Sequence, residues 1–430
     1  MQDSRPIVIV GTGQAALQAA GALREEGYAG ALCMIGEERG LPYTRPPLSK
    51  AWLESMTDAR ELHLEEADWF VSNNIRLLDG QRVAAVDRAN HSVVLASGGV
   101  VDYAHLILAT GARNRAWPFI QSPLVGVLSL RTFADADELK ARLGNAVRLV
   151  IVGAGFLGLE VAGVAAARGC AVHVVETAER PMKRALSAAM SAHVAEHLER
   201  AGVRFSFDAQ VSRLGGEAGR VKFVELADGT RLDADLVLVA AGVEPCCELG
   251  LDCGLPVFNG FVVDGLLRTI DPAISAIGDC AAFPYAFDGG DLIRLESVQN
   301  TVDQARHVAR TVLGVRDAFD PTPIFWSELA GARLQITGVA RRLDGAVVRG
   351  DPRSGSFSVF RYRHERLTGV ESFNRPADHM LGRRLLQRRL RDGFKKSPRA
   401  VNFFSILLTL AIVTDGPRRW VSQSLMTNFG

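Results

Sequence analysis

Two glycine-rich loops carry the residue types and spacing that promise chemistry. The first, Gly11-Thr12-Gly13-Gln14-Ala15-Ala16, follows the apolar run Ile7-Val8-Ile9-Val10 directly. The second, Gly153-Ala154-Gly155-Phe156-Leu157-Gly158, follows Leu149-Val150-Ile151-Val152. In each, the first glycine makes a sharp strand-to-helix turn and the second lets backbone approach a pyrophosphate. The third position, Ala16 or Gly158, lets helix and strand pack closely. The free amides and positive end of each helix then face the phosphates. An acid follows the next apolar run in both copies: Glu37 after Ala31–Gly36, and Glu176 after Ala171–Val175. Such an acid holds ribose hydroxyls. Strand, loop, helix and acid together separate these sites from chance glycine turns. One loop binds one dinucleotide, so two imply two cofactors and redox chemistry between them.

The second site reads as nicotinamide-binding. Glu176 is placed to accept hydrogen bonds from the adenosine 2'-hydroxyl, and a 2'-phosphate would meet a like charge there. NADH is therefore expected over NADPH, although Arg180 and Arg184 follow closely and an arginine can receive a 2'-phosphate. The first site reads as FAD-binding because more of the chain supports it. Leu41–Lys50 reads Leu-Pro-Tyr-Thr-Arg-Pro-Pro-Leu-Ser-Lys, and Ala109-Thr110-Gly111 follows the strand-like Leu106-Ile107-Leu108. Further on, Ile277-Gly278-Asp279 offers an aspartate to the hydroxyls of a flavin ribityl chain.

With these pieces in place, the chain resembles the FAD-dependent, NAD(P)H-linked ferredoxin reductases of bacterial oxygenase systems. The resemblance covers roughly residues 5–386. It rests on Arg45-Pro46-Pro47-Leu48-Ser49-Lys50, Gly242-Val243-Glu244-Pro245, Ile277-Gly278-Asp279, Glu296-Ser297-Val298-Gln299-Asn300, Phe325-Trp326-Ser327 and Asn374-Arg375-Pro376-Ala377-Asp378-His379. It implies an α/β, glutathione-reductase-like fold: two Rossmann-type dinucleotide-binding domains plus a C-terminal α+β domain over the flavin. It also implies that Arg45 and Lys50 lie along the flavin, that Asp279 binds the ribityl chain and that Val298 meets the ring through its backbone. Gly242 falls to the nicotinamide side, and a helix beginning near Asn300 aims its N-terminus at the end of the flavin that becomes anionic. Trp326 is expected near the cofactors, where a ferredoxin docks. Lys50 and Glu160 are expected to pair near flavin N5, Lys50 tuning the flavin and Glu160 orienting Lys50. Glu328-Leu329-Ala330-Gly331 departs from the Asp-Gln that follows Trp-Ser in many members.

These residues need elements to position them. A chain of 430 residues suits about three domains. Residues 1–116 read as a first FAD segment, with a small antiparallel hairpin over Val83–Val101. Residues 117–243 read as an inserted NAD domain, with a similar strand-and-turn tract at 203–239. Residues 244–320 return to the FAD domain, and 321–386 form a strand-rich C-terminal domain. Residues 387–430 stand apart: a basic stretch, then apolar Val401–Val413, then Asp415-Gly416-Pro417. Thirteen residues are too few for a bilayer that needs about twenty. A shifted end, a packed helix and a membrane-surface anchor compete for this tail.

Composition excludes other classes. The chain is 48% apolar and 23% charged, with a net charge of +1, which gives no global field for nucleic acid. The first strand begins by Ile7, leaving no room for a signal peptide, and two nucleotide cofactors point to the cytoplasm. Cys33, Cys170, Cys246, Cys247, Cys253 and Cys280 form no dithiol motif near the first loop and no iron–sulfur spacing. No metal site is expected, and Cys246-Cys247 with Cys253 read as plain thiols. Without a dithiol or cluster, electrons must leave for another molecule. The expected path runs from NADH through FAD to a [2Fe–2S] ferredoxin of Rieske or adrenodoxin type, which feeds a Rieske dioxygenase or cytochrome P450. Rubredoxin reduction, NADH oxidation, or redox-gated binding of the apoptosis-inducing-factor kind are the rival readings. Arg306 and Arg310, four apart on one helix, are candidates to meet an acidic ferredoxin.

Overall fold

The computed structural model describes residues 4–117, 124–144, 147–364 and 366–391. Two parallel five-stranded sheets form its frame. The first runs Ile274–Ala276, His105–Leu108, Ile7–Val10, Leu32–Ile35, Ile75–Leu78. Its central strand is apolar and buried at every position, in a core that holds residues of the helix Gln14–Glu25 together with Val83, Val86, Val93 and Leu95. The second runs Arg204–Ser206, Ala171–Val175, Arg148–Val152, Leu236–Val239, Val127–Leu128.

The chain leaves the first sheet after Leu108, builds the second, and returns with Ile274–Ala276 beside His105–Leu108. The two crossings lie against each other. Ala112–Asn114 pairs antiparallel with Val243–Pro245, and Arg113 bridges Glu244 and Glu248. Each sheet also carries an antiparallel excursion. Val83–Asp87, Ser92–Leu95 and Val100–Asp102 form a three-stranded meander rather than a lone hairpin. Val211–Glu217, Arg220–Leu226 and Arg231–Asp233 form another.

The third unit is an antiparallel sheet ordered Ile324–Leu329, Ala332–Gly338, Arg366–Phe373, Ser356–Arg363, Gly345–Asp351. Its first hairpin turns on Ala330 and Gly331, both at positive φ (44° and 78°). That is the geometry of a two-residue turn matched to strand twist. The turn packs on the helix Phe156–Ala167: a Cβ on Gly163 would sit 2.9 Å from the Ala330 nitrogen. The helix Pro376–Arg391 covers this sheet and continues past Leu386. Leu381, Leu385 and Leu386 form its apolar face, which the surrounding arginines disguise in the sequence. Among the described residues, no helix is long and apolar enough to cross a membrane. Val401–Val413 and the rest of the tail beyond Arg391 lie outside the described residues.

Candidate functional site

Both glycine loops adopt the same local structure. Gly11 has φ +126°, and a Cβ there would lie 2.2 Å from the Ala109 carbonyl oxygen. Gly153 has φ +109°, and its Cβ would lie 2.4 Å from the Ala240 oxygen. Only glycine fits such positions. Gly158 is a packing glycine, since its Cβ would meet the Gly153 oxygen at 2.2 Å. Ala16 fills the equivalent place in the first loop and is fully buried. Gly13 and Gly155 are different. Each caps its helix, Gln14–Glu25 or Phe156–Ala167, with no side-chain capping bond. A Cβ at either would meet nothing within 4 Å. Each helix start is therefore an open, uncapped set of amides with room for a pyrophosphate, so the loops fit two dinucleotides.

The two acids are not equivalent. Glu37 is exposed at the end of Leu32–Ile35. Glu176 is tied to its own loop, accepting from the Ala154 amide at 2.7 Å and the Ala178 amide at 2.9 Å. Its charge is thus fixed at the mouth of the second cradle. Of the two nearby arginines, Arg180 donates to the Leu186 and Lys183 carbonyls and so holds its loop, while Arg184 is exposed. Gly242, at φ +93°, closes the strand-to-loop bend beside this cradle and accepts from the Arg115 amide.

Around the first loop, distant segments converge. The Thr110 hydroxyl donates to the Cys246 carbonyl at 2.6 Å, and Gly111 has φ +68°. Asp279 sits in the short turn Gly278–Cys280 and pairs with Arg131 at 3.2 Å. Arg45 pairs with Glu38, lies over the Tyr43 ring and donates to the Arg131 carbonyl at 2.7 Å. The helix expected near Asn300 begins two residues earlier, at Val298. Ser297 is its cap, accepting from the Asn300 amide, as serine does at helix starts.

Lys50 and Glu160 meet. Their ion pair measures 2.7 Å between the Pro46–Ser49 turn and the helix that opens on the second glycine loop. The Ser49 hydroxyl donates to Glu160 Oε2 at 2.6 Å, and Ser327 donates to Oε1 at 2.7 Å. Strand alternation turns Ser327 inward and leaves Trp326 43% exposed. Arg131, Ser49 and Ser327 are site residues that sequence reasoning did not single out. Motifs mark local turns, whereas these three act across segments far apart in the chain.

The cysteines do not form a centre. Burial pushes the Cys247 thiol up to about 12, and raises Cys246 and Cys253 as well. Among the described residues, no group of three or more His, Cys, Asp or Glu could hold a metal ion.

Comparison with known proteins gives this geometry relatives. The sequence model of the pyridine nucleotide-disulphide oxidoreductases matches residues 5–306, and that of the reductase C-terminal domain matches 324–396. The second match, like the last helix, extends beyond Leu386. Rhodocoxin reductase of Rhodococcus erythropolis is 46% identical over 380 residues, 88% of this chain and 89% of that protein. The crystal structure of the ferredoxin reductase for the CYP199A2 system of Rhodopseudomonas palustris superposes with a TM-score of 0.86 at 41% identity, covering 89% of this chain and 95% of that one. The covalent putidaredoxin reductase–putidaredoxin complex gives 0.87 at 35%, covering 90% and 93%.

Proposed function

The chain belongs to the pyridine nucleotide-disulphide oxidoreductase family, and on that premise we propose that it carries electrons from NADH through FAD to a [2Fe–2S] ferredoxin. That ferredoxin, of Rieske or adrenodoxin type, supplies an oxygenase. FAD, when bound, accepts hydride from NADH and passes its electrons on singly, which converts a two-electron donor to a one-electron acceptor.

The observation that carries this reading is the ion pair of half-buried Lys50 with buried Glu160, which joins the first segment to the helix opening on the second of two open phosphate cradles. Gly11, Gly13 and Ala16 shape the FAD cradle, with Glu37 toward the ribose. Arg45, Thr110, Gly111 and Asp279 line the path from that cradle toward Lys50, and Arg131 holds Asp279. Val298 opens the helix whose amides favour negative charge on the flavin. Gly153, Gly155, Gly158 and Gly242 shape the NADH cradle. Glu176 selects against a 2'-phosphate because loop amides hold its carboxylate in place. Lys50 places a positive charge at the hydride-receiving edge, and Glu160 keeps it there. No cysteine lies in Arg45–Leu53 to form a dithiol beside that edge, so electrons leave by the exposed Trp326 face. Arg306 and Arg310 are exposed on the flavin-directed helix, Arg310 sharing its charge with Asp317 at 3.6 Å. The cytoplasm, where NADH and the ferredoxin meet, is the proposed location.

The test is steady-state reduction of a panel of purified acceptors, driven by NADH and then by NADPH. A [2Fe–2S] ferredoxin should be reduced far faster than rubredoxin or oxygen. That rate should fall with ionic strength and be about tenfold or more higher with NADH. Rubredoxin or oxygen as the fastest acceptor would replace this reading with the corresponding rival. Equal efficiency with NADPH would remove the role given to Glu176.

A further inference from the structure

Glu160 is 7% exposed, yet it receives three groups from two separate parts of the chain. Lys50 and Ser49 come from the turn of the first segment, and both address Oε2. Ser327 comes from the third sheet and addresses Oε1. Ser49 and Ser327 are themselves buried. A carboxylate oxygen taken out of water needs a donor, and a carboxylate held at both oxygens cannot rotate. Lys50 alone would leave the plane of the carboxylate free to turn about its last torsion.

We propose that Ser327 is a positioning residue for hydride transfer: its hydroxyl locks the Glu160 carboxylate, which in turn fixes Lys50. This rests on the reading of Lys50 as the residue at the hydride-receiving edge. Ser49 completes the same lock from the other oxygen. The placement of Ser327 matters because its neighbour is the exposed Trp326 on the same strand. A shift of that strand when an acceptor binds is carried to Lys50 through two short hydrogen-bonded contacts. The acceptor face and the hydride site are therefore coupled through one carboxylate.

An ordinary buried hydrogen bond would stabilise the fold and leave the chemistry alone. A double-mutant cycle separates the two roles. In the FAD-loaded enzyme, Ser327→Ala should lower the limiting rate of anaerobic flavin reduction by NADH about tenfold, with the NADH dissociation constant within about twofold. In a Lys50→Met background the same change should alter that rate by less than about twofold, because the residue it acts through is gone. Ser49→Ala should repeat this background dependence, and it decides the matter if Ser327→Ala fails to retain flavin. An equal factor in both backgrounds, or no effect in the native background, would overturn the proposal alone. A Lys50→Met enzyme reduced at the native rate would overturn the reading of Lys50 and this proposal with it.

Discussion

Lys50 is held by one buried carboxylate, and that makes its charge testable. Lys50→Met keeps an unbranched side chain as far as Cε and removes the ammonium. Anaerobic stopped-flow should show flavin reduction by NADH slowed about tenfold to a hundredfold, with the bound-flavin spectrum retained. An unchanged rate would assign the pair to interdomain packing. His105 offers a second test, of stability. It lies against the Ser275 hydroxyl at 3.0 Å, and burial pushes its ring down to about 4 from 6.5. Above 6.5 the ring is neutral in both folded and unfolded chains and contributes nothing. As pH falls from 6.5 toward 4 only the unfolded chain takes up the proton, so the fold loses up to about 3 kcal/mol. Burial moves His173, His193, His307 and His379 the same way, so the acid limb is cumulative. Thermal melts across this range should show His105→Asn flattening part of the limb; an unaltered limb would mean that His105 is not held neutral. At this scale Lys50 and Asp279 stood inside motifs, and Glu160 came with the resemblance. Ser49 and Ser327 also stood inside motifs, but their shared partner did not show, and Arg131 stood in none, because a hydroxyl or guanidinium has no signature until the fold brings its acceptor within about 3 Å.

The glycine loops were legible because each needs a particular backbone at a particular place. Their three positions nevertheless do different work, and substitution should separate them. Gly11→Ala puts a Cβ 2.2 Å from the Ala109 oxygen at φ +126°. The apoprotein should lose about 3 kcal/mol in denaturant unfolding. Gly13→Ala meets no protein atom within 4 Å. It should cost less than about 1 kcal/mol of apoprotein stability yet weaken FAD retention, since the methyl occupies the phosphate cradle. Similar stability losses in both would mean that Gly13 is structural. Helix boundaries were read less well than loops. The helix expected near Asn300 starts at Val298 because Ser297 caps it. The last helix, Pro376–Arg391, was not read from the sequence, because Leu381, Leu385 and Leu386 face the third sheet beneath a coat of arginine.

In the whole molecule, the duplicated strand–loop–helix plan announced two dinucleotide units, and the late return of Ile274–Ala276 makes the first sheet from both ends of an interrupted segment. What the sequence could not display is how the third sheet is fastened. Glu371 is buried on that sheet, paired with Arg361 at 2.8 Å, and accepts from the Ser187 amide and hydroxyl at the cap of the helix Ala188–Arg200. Together with Ser327–Glu160, this gives two buried polar ties between the third sheet and the nicotinamide-side unit. Each joins residues more than a hundred positions apart, so no local pattern foretells it. On the proposed electron path, these ties hold the third sheet, and with it the exposed Trp326, against the unit that carries Glu160. The most direct measurement is an anaerobic titration: FAD-loaded protein is reduced with one equivalent of NADH, then mixed with an oxidised [2Fe–2S] ferredoxin while the visible spectrum is followed. Flavin bleaching by NADH, then its full recovery as two ferredoxins are reduced, is the predicted result. Bleaching that persists beside oxidised ferredoxin would contradict the proposed electron path.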